Sequence, residues 1–205
     1  NYVNGNRKMS FDPPVYLLEK RIPDRICNMI IDYGKSLQSQ QGTVGDEEIE
    51  ESTRKSNVSW FESETWIAKW VIGGARSICN QLGWQVTTSE AIQFTIYNAP
   101  DGHYTWHKDT YNLTHKNMVE NDDIHTRQRK VSVVCNITDP SEYEGGQLEI
   151  VDPTMGPDVE DKYVKIKKDR GLLTVFPSFL YHRVTPITKG TRYSLVCWLK
   201  GPEFR

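Results

Sequence analysis

From residue 91 to residue 199 the sequence is cut into eight short runs rich in β-branched and aromatic residues, at 91–97, 104–109, 130–137, 147–151, 163–166, 171–176, 182–186 and 192–199. Asp-Gly, Asp-Pro, Gly-Gly and Lys-Gly turns part them. Short strands separated by such turns are the texture of an antiparallel sandwich or jelly roll. The part before residue 91 differs. Residues 15–18 read as a short strand, and Pro23-Asp24 opens a helix in which Ile26, Cys27, Ile30 and Ile31 recur at helical spacing. A strand over 54–61 carries Val58, Trp60 and Phe61, and a long helix over 64–82 carries Trp66, Ile67, Trp70, Val71, Ile78 and Leu82, with Gly83 as its stop. The tryptophans of that helix read as packing residues. The first ten residues are polar and are expected to fray, and the Ser-, Gln-, Gly- and Glu-rich stretch 38–56 reads as a mobile loop. The expected fold is mainly β with supporting α, one domain over 1–205: helical support over 1–90 and a jelly-roll core over 91–201, with the helices packed on one sheet.

A formal charge of −2 on 205 residues gives no electrostatic case for nucleic acid or an anionic membrane as partner. No apolar run approaches the length of a membrane span, and the chain is expected to be cytoplasmic, in a bacterium or a phage-infected cell. Cys27, Cys79, Cys135 and Cys197 are scattered, which argues against a zinc knuckle or redox pair and for buried, reduced thiols.

The chemistry is concentrated at 97–109, whose core is His107-Lys108-Asp109. On a strand, residues two apart face the same way, so His107 and Asp109 project into one space. His182 is available as a third ligand. Two imidazoles and one carboxylate form the facial arrangement of non-haem Fe(II) sites, which leaves adjacent positions open. A lone His-x-Asp is weak, because such tripeptides also arise as ordinary surface residues; His103, His115 and His125 read as solvated. Arg192 strengthens it, lying ten residues beyond His182 with Ser194, Val196 and Trp198 on the same strand face. A guanidinium inside a β-sandwich needs a carboxylate, which its fork grips in two places. The alternative is an edge-strand Arg facing solvent.

At these residues the chain resembles the Fe(II)- and 2-oxoglutarate-dependent oxygenases, in the prolyl 4-hydroxylase-like branch that includes bacterial PKHD-type hydroxylases, phage relatives and the animal oxygen-sensing prolyl hydroxylases. The matching stretches are 97–109, 129–151 with Glu142-Tyr143-Glu144-Gly145-Gly146-Gln147-Leu148, and 171–198 with Phe176-Pro177-Ser178, His182-Arg183-Val184-Thr185-Pro186 and Gly190-Thr191-Arg192-Tyr193. The resemblance implies a double-stranded β-helix, with iron on His107, Asp109 and His182, and Arg192 and Tyr97 on 2-oxoglutarate. It implies O2 as oxidant, ascorbate as reductant, and Arg129 and Trp198 at the substrate. The polar segment 110–128 is expected to fold over a peptide, with Tyr111 in contact. One departure is Asn136, where the oxygen-sensing enzymes have a second tyrosine. The implied reaction is hydroxylation of prolyl residues in a protein or peptide, with release of succinate and CO2. Alternatives are another side chain or a small molecule as substrate, or a non-catalytic jelly-roll binding module. A nucleic-acid demethylase and a hydrolytic zinc site are less consistent with the charge and with Arg192.

Overall fold

Alternation decides how this chain packs, and the strand at Ile92–Asn98 carries it most plainly. The computed structural model describes residues 14–43, 50–110, 128–151, 163–202 and 204. Its elements in chain order are β1 (Tyr16–Leu18), α1 (Asp24–Ser36), β2 (Gln40–Gln41), β3 (Arg54–Lys55), β4 (Asn57–Phe61), α2 (Ala68–Leu82), β5 (Thr88–Ser89), β6 (Ile92–Asn98) and β7 (His103–His107). There follow β8 (Arg129–Asn136), β9 (Tyr143–Gly145), β10 (Leu148–Val151), β11 (Tyr163–Lys165), β12 (Leu173–Pro177), β13 (His182–Val184) and β14 (Ile187–Lys200).

The larger sheet has the order β1-β12-β8-β14-β6-β4-β2, with β5 and β9 also on β14; the smaller has the order β11-β10-β13-β7-β3. All pairings are antiparallel. In β6, Ile92 and Phe94 join the apolar cluster shared with α1 and α2, whereas Gln93, Thr95 and Tyr97 face the other way. The same split runs through β8 (Val131, Val133 and Cys135 against Ser132, Val134 and Asn136) and β14 (Leu195, Cys197 and Leu199 against Ser194, Val196 and Trp198). A period of two turns this alternation into two faces. The apolar face is covered by helices, and the mixed face looks toward the smaller sheet. A second cluster, including Tyr97, Tyr143, Leu148, Ile150 and Phe176, fills one end of the space between the sheets.

Several boundaries differ from expectation. The long helix starts at Ala68 rather than 64, because Thr65 and Ala68 first make turn bonds to Glu62 and Thr65. Trp66 therefore precedes the helix and is exposed, while Trp70 packs on the core. Gly83 does end the helix, in the left-handed conformation at φ 69°. The stretch 38–56, expected as a mobile loop, contributes β2, which pairs with β4, and the strand expected over 54–61 is split in two, β3 adding to the edge of β7 and β4 to β6. Edge backbone groups reward such pairing whatever the side chains. Residues 44–49 lie outside the described residues. His103 is not in a loop but in β7, with its ring between the carbonyls of Asp101 and Ser52. Among the described residues no helix is long and apolar enough to cross a membrane.

Candidate metal centre and its cavity

β7 and β13 are neighbours in the smaller sheet, and their register sets His107 opposite His182. Asp109 joins them from outside a strand, since β7 ends at His107. The two side chains do share one space, but not as two positions of one strand. Asp109 is aimed by its backbone N–H, which donates to the Ser178 carbonyl at 3.0 Å, and by the Ser132 hydroxyl, which donates to Oδ2 at 2.6 Å. The two serine oxygens are themselves 2.9 Å apart.

The three ligand atoms lie within 4.8 Å of one another. His107 Nε2 is 3.7 Å from Asp109 Oδ1, and His182 Nε2 is 3.3 Å from Oδ2. Each imidazole has its other nitrogen on a backbone carbonyl: His107 Nδ1 on Thr105 at 2.7 Å and His182 Nδ1 on Leu180 at 3.0 Å. A carbonyl can only accept, so Nδ1 carries the proton and Nε2 presents a lone pair to the shared space. Among the described residues this is the one His/Cys/Asp/Glu group able to hold a metal ion, and its donor set suits iron.

The electrostatics agree. Burial, and after it the neighbouring His182, pushes His107 down to about 3, which keeps it neutral. Burial alone would raise the Asp109 carboxyl, but His182, His107 and the Ser132 hydrogen bond hold it well below the usual carboxylate range. His182 goes up because Asp109 outweighs its burial.

These ligands open onto a cavity of about 230 Å³ between the sheets. Its floor is the mixed face of the larger sheet, in cross-strand rows. Tyr97 and Arg192 are partners at the inner end; Thr95, Ser194 and Asn136 form the next row; Trp60, Gln93, Val196 and Val134 the one after; Trp198 and Ser132 lie beyond. Arg192 is 2% exposed on the central strand β14, which removes the solvent-facing alternative. Its guanidinium donates to Ser194 Oγ at 3.2 Å and lies 5.6 Å from the Tyr97 ring, with no carboxylate partner among the described residues. Arg129 lines the cavity, stacked 3.6 Å over Trp198, but its charge is paired with Glu90 at 2.9 and 2.7 Å. Trp198 Nε1 is buried without a partner. Tyr111 and the rest of 111–127 lie outside the described residues.

Sequence reasoning missed Ser132, Ser178, Tyr143 and Arg54. Tyr143 donates to Asn136 Oδ1 at 3.4 Å, while Asn136 Nδ2 donates to the carbonyls of Thr138 and Lys168. Asn136 is thus a backbone brace, and the phenol beside Arg192 comes from β9. The available signal was Tyr143 itself, inside the quoted hairpin. Arg54 falls where the loop expected over 38–56 overlaps the strand expected over 54–61, and neither expectation gives its side chain a role.

A family profile described as "2OG-Fe(II) oxygenase superfamily" matches residues 92–200. Among curated proteins, a PKHD-type hydroxylase of Gloeothece citriformis is 43% identical over 71 residues, 35% of this chain and 29% of that protein. The chain thus spans under a third of that relative. Among solved structures, a prolyl-4-hydroxylase of Pseudomonas putida aligns over 91% of this chain and 92% of that one, at TM-score 0.63 and 18% identity. A prolyl hydroxylase of Trichoplax adhaerens, solved with a hypoxia-inducible-factor peptide, aligns over 91% and 83% at TM-score 0.66 and 18% identity. Both are likenesses of fold.

Proposed function

The chain belongs to the 2OG-Fe(II) oxygenase superfamily, and from that membership we propose that it is a hydroxylase acting on prolyl residues of a protein or peptide, on one double-stranded β-helix domain. The observation that carries the oxygenase reading is the pairing of two features in one cavity. One is a buried His-Asp-His set with both imidazoles fixed to present Nε2. The other is a buried Arg192 whose charge no described carboxylate meets. A carboxylate-bearing cosubstrate supplies what Arg192 lacks.

In this reading His107, Asp109 and His182 hold iron, Arg192 grips the far carboxylate of 2-oxoglutarate, and Tyr97 donates to it. Iron bound there supplies dioxygen activation, coupled to oxidation of 2-oxoglutarate to succinate and CO2. The chain's own residues position and protect. Burial pushes Tyr104 up to about 12 and raises Tyr97, so both phenols stay neutral donors beside the ligands. Ser132 holds one lobe of the Asp109 carboxylate, and the apolar cluster at the inner end keeps water off Arg192. The prolyl assignment is supported by the kinship with PKHD-type hydroxylases and the fold shared with prolyl hydroxylases. A non-catalytic binding module has no use for neutral imidazoles aimed at one point.

Anaerobic addition of Fe(II) and 2-oxoglutarate should produce a weak visible charge-transfer band that His107→Ala lacks. Cell-lysate peptides treated with the active chain in air should gain oxygen on proline by mass spectrometry. Absence of both the band and 2-oxoglutarate consumption refutes the oxygenase reading; oxygen only on other residues or small molecules refutes the prolyl one.

A further inference from the structure

We propose that the side wall of the cavity is a carboxylate-reading subsite built on Arg54, so that the substrate carries an acidic group close to the carbon that is oxidised. This rests on the oxygenase reading and adds the substrate's charge to it. Arg54 leaves the edge of the smaller sheet and reaches across to the larger one. Its Nε donates to Ser56 Oγ at 2.9 Å, one terminal nitrogen to the Thr43 carbonyl at 3.0 Å and the other to Gln93 Oε1 at 2.9 Å. Its guanidinium lies 4.7 Å from the centre of the Tyr104 ring, and that ring stacks 3.5 Å from His107. On the other side a Cβ on Gly42 would come within 2.6 Å of Arg54 Nε, so the glycine makes room for the guanidinium. Arg54 is thus a held group, 7% exposed, one ring away from a metal ligand and lining the cavity.

These three acceptors are neutral, and no carboxylate pairs with Arg54 among the described residues. A guanidinium has five N–H groups, so two remain, one on each terminal nitrogen. Gln93 extends the pattern. Its Oε1 takes hydrogen bonds from Arg54 and, at 3.1 Å, from Thr95, so its amide nitrogen is left to donate. Gln93 lines the cavity, and Trp198, with its unpartnered Nε1–H, lines the same space. Trp60, cross-strand partner of Gln93 and 6.4 Å from Trp198, supplies an exposed flat wall. The wall offers donors and a positive charge, whose complement is an anionic acceptor.

Charge balance points the same way. A ferrous ion, Asp109, doubly charged 2-oxoglutarate and Arg192 cancel, and Arg129 faces Glu90, which it shares with Lys200 at the cavity's outer side. Lys108 is exposed and turned onto the Tyr181 ring. Arg54 remains, and one carboxylate on the substrate balances it. That carboxylate could be the side chain of an acidic peptide or the α-carboxylate of a free amino acid, which the test separates.

The test is binding without turnover, by calorimetry, on the chain loaded with Mn(II) and 2-oxoglutarate. Its probes are a blocked peptide with aspartate beside proline, the same peptide with asparagine, and free L-proline. The wild-type chain should bind the aspartyl peptide or free proline about 10- to 100-fold more tightly than the asparaginyl peptide, the worth of a charge-assisted hydrogen bond. Arg54→Met should abolish that preference, and Arg54→Lys should restore part of it. Gln93→Glu, which offers Arg54 an internal carboxylate, should also abolish it and serves if Arg54→Met does not fold. Equal binding of the two peptides, no binding of any probe, or equal weakening of both peptides in Arg54→Met overturns the subsite. The Fe(II) and 2-oxoglutarate band, recorded on the same preparation, separates the failures: band present with no preference sinks the subsite alone, and band absent sinks the oxygenase reading with it.

Discussion

Asp109 is a candidate ligand whose direction is set by residues far away in sequence. Ser132 holds its Oδ2, and Ser178 holds both its backbone N–H and Ser132. Ser132→Ala should therefore lower metal affinity about 10- to 100-fold, read by Mn(II) titration, while the melting temperature of the metal-free chain stays close to wild type. The ligands were legible in sequence because two lie in one tripeptide and the third precedes Arg192 by a strand spacing. Ser132 and Arg54 were not, since a serine in a Val-rich strand and an arginine in a polar stretch have no pattern of their own. Only the meeting of the two sheets gives them partners. The cysteines were legible. Burial pushes Cys27 and Cys79 up to about 11 and Cys197 to about 12, and raises Cys135 as well. At pH 8 none of the four should react with iodoacetamide before the chain unfolds, as intact mass would record.

The helices are ordinary in composition and specific in contact. α1 lies against β6 through Gly34, where a Cβ would stand 2.6 Å from the Phe94 ring. Alanine at a helical glycine normally gains about 1 kcal/mol of propensity, but forcing a methyl into a packed ring costs about 1–3 kcal/mol. Gly34→Ala should therefore destabilise the chain by up to about 2 kcal/mol in urea unfolding, the reverse of what propensity alone gives. The strands of the core were legible nearly one by one, because turn dipeptides mark their ends. The last strand is the exception. The sequence predicts it over 192–199, yet β14 runs Ile187–Lys200, since its first residues gain pairing from β9 that no local signal announces. The early start given to α2 has the mirror cause: apolar spacing continues through Trp66 after the backbone has left the helix.

At the scale of the whole molecule, all four thiols are buried on folding. Thiols ionise near pH 9 in an unfolded chain, but Cys27 and Cys79 do so only near 11 once folded. Raised values mean that stability is fully present below pH 9 and falls as pH climbs toward 11, because the unfolded chain then releases protons that the folded chain keeps. Chemical denaturation at pH 8 and pH 10.5 should differ by roughly a few kcal/mol, and replacing Cys27 with alanine should shrink that gap. The placement of Asp109 has a further consequence. Its carboxylate is fastened to the larger sheet through Ser132, while His107 and His182 belong to the smaller one. A metal ion held by all three is a further cross-link between the two sheets, beside the backbone bonds from Asp109 to Ser178 and from Ile187 to Gly102. Linkage is reciprocal, so opening of the two sheets and escape of the ion are one equilibrium seen from two ends. Amides of β7 and β13 should exchange with deuterium more slowly when Mn(II) is bound, and substitutions that loosen the sandwich far from the ligands should leak metal in proportion.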